Sequence, residues 1–340
     1  MKEVNDRVTM SVEEARALCR KAVASTGYNE ADSAIIAEHA LDAALCGYEY
    51  SGLPKVLNIE DSRRHALGRK PVSILRETPV SALMDGGNNV GMLALHHATE
   101  VAIAKASAQG FAIVGMNNAW TSGRSAHYVE RIARAGLIAI HTASAARQVA
   151  PPGGAKGVLG TNPIAFAFPC DPDPLVIDMG TSAVMATDVK YRERMGIPLP
   201  ENSAIDANGE VTRDAALASL GALLPFGGAT GAHKGFGLSL AVEALGVLGG
   251  SASDLDQAYG YVFIAVKPDL LMSLDQYKRE LAQSIARIKA TPRAAGVDEI
   301  RIPSERMYRQ RARQMREGIE VDKRIYDIVK ALADRGLKKA

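Results

Sequence analysis

Within a short stretch starting at Gly91 the chain switches its hydrophobic period repeatedly, and few architectures can accommodate that. "GMLALHHATEVAIAKASAQG" carries apolar residues at helical spacing, "FAIVGM" is a strand-length apolar run, "SAHYVERIARAG" is helical again and "LIAIHT" is a second strand. Strands interleaved with helices predict packed α/β layers. Further strands are expected at "PIAFAF", "LVIDM" and "YVFIAV", and helices at Gly235 to Leu248 and Leu274 to Ala290. Upstream, Ser11 with Glu14 three residues on forms a capping box for a first helix that Gly27 stops. A second helix runs from about Glu30 to Cys46, and "GYEYSGLPK" after it reads as a loop. The closing "SERMYRQRARQMREGIEVDKRIYDIVKALADRG" reads as helical, basic in its first half. No repeat, low-complexity tract or linker appears, so residues 1–340 are expected to form one interwoven unit. Its parts are a helical N-terminal region of about 1–80, a central α/β region of about 110–290 and C-terminal helices of about 300–340.

The chain has 340 residues, 47% hydrophobic and 23% charged, enough to bury a large core. Its 40 basic and 38 acidic side chains leave a formal charge of only +2, so no global field points to nucleic acid or an anionic membrane surface, and a small-molecule partner is expected. Cys19, Cys46 and Cys170 form no CxxC pair and fit reduced thiols. The charged N-terminus and the lack of any long apolar run predict a protein of the cytoplasm.

Candidate chemistry is spread over several segments. In "FGGATGAHKGFGLSLAVEALGVLGG", glycines precede His233 and Lys234, and an apolar helix follows, a pattern suited to an anion such as a pyrophosphate. Gly235 follows Lys234 where a phosphate loop needs Ser or Thr, and "GFGLSL" lacks the third glycine and the preceding strand of a Rossmann fingerprint. "GTNPIAFAFP" and "LVIDMGTS" put Thr161, Asn162, Asp178 and Thr181 at strand ends, where α/β folds bind ligands and where the same residues also serve turns and caps. The seven histidines show no metal-binding spacing, and no GxSxG elbow occurs. Arg306, Arg309, Arg311 and Arg313 crowd one segment, either as a solvated face or as guanidinium forks for the 2′-phosphate that distinguishes NADPH from NADH.

Taken in order, "MDGGNNVGMLALHHA", "GTNPIAFAFP", "IDMGTSAV", "AHKGFGLSLAVEALGVLGG" and "RARQMREGI" resemble the malate/L-lactate dehydrogenase family of NAD(P)-dependent oxidoreductases, nearly end to end. The resemblance implies the sulfolactate dehydrogenase-like α/β fold, a mixed sheet with flanking helices that binds the dinucleotide without a Rossmann loop. It also implies a homodimer, NADP or NAD as cofactor, and hydride transfer to a carbon next to a carboxylate. By the same resemblance Thr121, Ser122, Gly123, Asp178, Met179, His233 and Lys234 would touch the cofactor, and Thr161 would face the substrate. The family's two hallmark histidines fall on Thr121 and Ser51, and its arginine falls on Lys55. Ketone reduction needs a proton donor near neutral pKa, which neither hydroxyl supplies. Lys55 keeps a cation for the substrate carboxylate, and Arg124 could supply the bidentate fork that lysine lacks. Asp188 stands where the cyclic imino acid reductases of the family have an aspartate, and "GALLPFGG" and "RMYRQRAR" resemble that branch too. An imine arrives protonated more readily than a ketone, so loss of the imidazoles is easier to tolerate in a C=N reductase. The sequence therefore points to an NADPH-preferring reductase of C=N or C=O bonds beside a carboxylate. The rivals are an NAD-dependent 2-hydroxy acid dehydrogenase and a non-catalytic dinucleotide-binding homologue.

Overall fold

The Ser11 hydroxyl accepts the Glu14 N–H, and the Ser11 N–H donates to the Glu14 carboxylate at 2.8 Å, so the expected capping box forms. It opens the first helix of the computed structural model, which describes residues 6–251 and 259–336. Along the chain the first elements are β1 (Arg7–Met10), α1 (Val12–Ala24), α2 (Glu30–Leu45), α3 (Pro54–Glu60), β2 (Ser73–Thr78), β3 (Ser81–Val90) and α4 (Gly91–Gln109). Next come β4 (Phe111–Trp120), α5 (Ser125–Arg134), β5 (Ile138–Ala143), β6 (Ile164–Phe168), β7 (Leu175–Met179), α6 (Ala186–Met195), β8 (Ala204–Ile205) and α7 (Ala215–Leu220). The last are β9 (Ala222–Leu223), α8 (Gly228–Leu248), β10 (Tyr261–Val266), α9 (Leu274–Lys289), α10 (Glu305–Glu317), β11 (Ile319–Asp322) and α11 (Lys323–Asp334).

The chain makes two compact units, each discontinuous in sequence. One consists of Met1–Gly68, Pro169–Leu175 and Leu271–Ala340, the other of Arg69–Phe168 and Val176–Leu270. In the first, α1 packs on α2 and α11, and α10 packs on α2. The C-terminal run is not one helical stretch, because Gly318 ends α10 at φ +94°, and a side chain there would press on the Met10 carbonyl at 2.7 Å. The four residues that follow, "IEVD", pair antiparallel with β1, Met10 opposite Ile319 and Arg7 opposite Asp322. The segment read as a loop, "GYEYSGLPK", instead contains a 3-10 turn at Glu49–Ser51 and the start of α3, with Pro54 at a first-turn position that suits its missing N–H.

The second unit is built on a seven-stranded sheet of order β2-β3-β4-β10-β5-β6-β7. β3 runs parallel to β4, while β2–β3, β4–β10, β10–β5 and β5–β6 are antiparallel. This is the expected mixed sheet with flanking helices. Ala94, Ala98, Ala102 and Ala106 lie four apart on α4 and are all buried, so a stripe of small side chains lets the helix approach strands that offer Ala112, Val114, Met116 and Ala119. Tyr128, Val129 and Ile132 of α5 join the same core with Tyr261 and Phe263 of β10. A smaller apolar cluster, including Val149, Leu159, Val189, Leu199 and Leu223, supports β8, β9 and α7. Among the described residues no helix is long and apolar enough to cross a membrane.

Candidate active site

β4 ends at Trp120 and α5 begins at Ser125, so Thr121–Arg124 form the turn between a sheet strand and a helix start. Thr121 has φ +57° and Gly123 +80°. A β-branched residue in the left-handed region is strained by about 1–3 kcal/mol and stays there only when its surroundings hold it. They do so from two sides. Gly91, at the start of α4, has no side chain, and a Cβ there would lie 2.8 Å from the Ser122 Cα and 3.1 Å from the Thr121 carbonyl oxygen. The buried Tyr128 hydroxyl donates to the Ser122 carbonyl at 2.5 Å.

The same turn meets the end of β7. The Ala126 N–H, in the first turn of α5, donates to the Asp178 carboxylate at 2.8 Å, where the helix dipole favours negative charge. Asp178 keeps solvent access as a residue, but its carboxyl group is crowded by protein. Desolvation raises its pKa, opposed by the Ala126 N–H and the nearby Arg124 guanidinium. Arg124 itself is buried. Asp178, expected to touch the cofactor, thus also caps the helix that follows the turn, and Met179 beside it is 39% exposed.

A second set of bonds ties β6, β7 and α8 together. The carbonyl of buried Thr161 accepts both the N–H (3.0 Å) and the hydroxyl (3.1 Å) of Thr181, whose own carbonyl accepts the Phe226 N–H at 3.0 Å. Gly235 of α8 seats against this junction, since a Cβ would come within 2.5 Å of the Phe226 carbonyl oxygen. Fully buried Asn162 donates to Glu243 (2.9 Å) and Ser239 (3.1 Å) of α8, and its side-chain oxygen accepts the Ala145 N–H at 3.1 Å.

α8 begins at Gly228 rather than Gly235, so His233 and Lys234 are exposed residues of its second turn and not of its start. The glycine-rich stretch has poor helix propensity, and the tertiary contacts of Gly235 override it. The first turn carries no side-chain cap, and the space a Cβ would occupy at Gly228 and Gly231 is open. Exposed backbone at the start of a long helix fits the pyrophosphate of a dinucleotide. The stem of Lys234 can lean back toward it, since helical side chains point to the N-terminus.

Asp188 sits in the first turn of α6, and its carboxylate pairs with the Arg192 Nε at 3.0 Å. Ser51, Lys55, Arg306, Arg309 and Arg311 belong to the other unit. Ser51 closes the 3-10 turn, Lys55 is in the first turn of α3, and both are buried. Arg309 grips Glu299 with both terminal nitrogens (2.6 and 2.9 Å), and Arg311 bonds Asp42 at 2.8 Å, so these two forks have carboxylate partners within their own unit. Arg306 stands 5.3 Å over the Tyr48 ring. No motif marks Gly91 and Tyr128 as holders of the turn or Glu243 as anchor of Asn162, whereas Arg192 stands four residues after Asp188, the ion-pair spacing of a helix. Among the described residues no group of three or more His, Cys, Asp or Glu is placed to hold a metal ion.

A family model described as malate/L-lactate dehydrogenase matches residues 10–330. L-sulfolactate dehydrogenase of Methanocaldococcus jannaschii is 32% identical over 320 residues, 91% of each chain. The Delta(1)-pyrroline-2-carboxylate/Delta(1)-piperideine-2-carboxylate reductase of Pseudomonas putida is 35% identical over 254 residues, 70% of this chain and 71% of the relative. Among solved structures, malate dehydrogenase from Pyrococcus horikoshii is similar with a TM-score of 0.87 at 27% identity, covering 99% of this chain and 98% of that one. With the mixed sheet, the strand-end junction and matches over nearly the whole length, the chain belongs to the malate/L-lactate dehydrogenase family and is an NAD(P)-dependent oxidoreductase.

Proposed function

We propose that this enzyme reduces a C=N or C=O bond next to a carboxylate, with cyclic imino acids of the piperideine- and pyrroline-2-carboxylate type as the preferred class and NADPH as the preferred reductant. The observation that carries this reading is the make-up of the turn beside Asp178. Thr121, Ser122 and Arg124 offer hydroxyls and a buried guanidinium, and none of the three titrates near neutral pH. A ketone becomes an alkoxide as it accepts hydride and needs a proton from such a group, whereas an iminium arrives with its proton. The bound dihydronicotinamide supplies the hydride. Arg124 is assigned the substrate carboxylate. Asp188, kept in place by Arg192, is assigned the protonated nitrogen. The uncapped first turn of α8, with Lys234, is assigned the pyrophosphate. Arg309 and Arg311 already hold carboxylates within their own unit, so neither is assigned the 2′-phosphate.

A homodimer belongs to the same proposal. Leu240, Val247 and Leu248 of α8 are 46%, 63% and 60% exposed, an apolar face that a second copy would cover. The three free thiols suit a reducing cytoplasm. The similarity to sulfolactate and malate dehydrogenases favours a second reading, an NAD-dependent 2-hydroxy acid dehydrogenase. A panel of piperideine-2-carboxylate, pyrroline-2-carboxylate, pyruvate, oxaloacetate and sulfopyruvate, each with both cofactors, separates the two. Imine reduction with NADPH is expected to exceed the best ketone by about tenfold or more in kcat/KM. Faster turnover of a 2-oxo acid with NADH would replace this reading by the second. Asp188→Asn is expected to lower kcat for the imine about a hundredfold; an undiminished rate would remove Asp188 from the chemistry.

A further inference from the structure

We propose that the Tyr128 hydroxyl is a positioning residue for the reaction, holding the Thr121–Gly123 turn in the left-handed conformation that presents Thr121 and Ser122 to the bound reactants. The inference rests on the reading of that turn as part of the active site. Tyr128 lies on α5, six positions beyond Ser122, and its ring is fully buried. His141 and Phe263 pack against it edge-on at 5.7 and 5.9 Å between ring centres, so its hydroxyl is aimed by the core of the sheet. That hydroxyl donates to the Ser122 carbonyl at 2.5 Å and has the Gly91 carbonyl at 3.4 Å. Burial pushes the phenol well above its ordinary pKa, so it remains a donor across the working pH range.

The geometry explains how a threonine tolerates φ +57° here. Gly91 gives the turn room to lie against α4, and the phenol pins the carbonyl one residue after the strained position. Without the hydroxyl, Thr121 would relax toward ordinary backbone angles and carry Ser122 with it, and displacements of an ångström at an active site can lower rates by about a hundredfold.

A double-mutant cycle tests this. Tyr128→Phe removes one oxygen and keeps the ring. It is expected to lower kcat/KM about tenfold or more. In a Thr121→Gly background the same change should lower kcat/KM by less than about twofold, because glycine adopts positive φ without restraint. Equal losses in both backgrounds would overturn the proposal, as would a Tyr128→Phe enzyme with unchanged kcat and KM and only a lower Tm. If the phenylalanine variant does not accumulate folded, Gly91→Ala presses on the turn from the other side and should give the same loss; normal kinetics there would equally count against the idea. Thr121→Val and Arg124→Leu test the underlying reading. Full activity in both would mean that the turn is not part of the site. Loss in both with a silent Tyr128→Phe would sink the positioning role alone.

Discussion

Thr121 shows how much a single residue can be governed by others outside its own turn. Its left-handed backbone costs threonine more than it costs glycine, partly offset by the greater freedom glycine has in the unfolded chain. Thr121→Gly is therefore expected to stabilise the protein by up to about 1 kcal/mol, read as a higher urea midpoint with an unchanged slope. Thr121→Val keeps the branched shape and should leave the midpoint in place while removing the hydroxyl. The strain could not be read in "WTSGR", because it is imposed by Gly91 and Tyr128 across α4 and α5. The arginine run teaches the same lesson. As a string, Arg306, Arg309 and Arg311 look like one phosphate cradle, but the fold hands Arg309 to Glu299 and Arg311, 269 residues away, to Asp42. Charge pattern gives the number of forks on a helix and not their partners.

Among the elements, those with clean periodicity came out as expected: α1 with its capping box, α2, α4, α5 and the strands β5, β6, β7 and β10. The region of about 1–80, expected to be helical, also contains β1 and β2, and elsewhere a tertiary contact overrules local preference. α8 extends seven residues toward its N-terminus through glycines that disfavour helix, because buried Gly235 fits against Phe226 and Thr181. The C-terminal run breaks at Gly318 because a lone four-residue strand finds a partner 309 residues away in β1. "IEVD" alone cannot announce a strand whose pairing lies at the other end of the chain. Gly318→Val is expected to destabilise by about 2–4 kcal/mol, from the left-handed backbone and the collision with the Met10 carbonyl together. Gly296→Val serves as the control. That glycine also has positive φ, +75°, but open space around it, so only the backbone part, about 1–2 kcal/mol, should appear. Equal losses in the two variants, measured by chemical denaturation, would show that the β1–β11 contact adds nothing.

The stability of the whole molecule carries a pH signature set in the sheet core. His141 on β5 is fully buried, stacked 4.1 Å from the Phe263 ring, with Nδ1 donating to the Val262 carbonyl at 3.1 Å. Desolvation lowers its pKa to about 4 from an ordinary 6.5. In the unfolded chain the imidazole takes up a proton below about 6.5, and in the folded chain only near 4. Folding thus loses nothing above that window, grows weaker as pH falls through it, and levels off below it, for a total of about 3 kcal/mol. His96, lowered to about 4 by desolvation and by Arg131, acts in the same direction. His141→Phe should flatten the dependence of unfolding free energy on pH between 6.5 and 4; a slope equal to that of the parent would mean that His141 is already protonated in the folded core. The sequence by itself determined the α/β class, the main helices and strands and the family, because periodicity, caps and ordered motifs are local properties. The tertiary structure decided the strand order, the true start of α8, the partners of the arginines and the strained turn held by Tyr128. Each of those depends on contacts between separate elements and loops, whose free energies exceed local preference only once the core has formed.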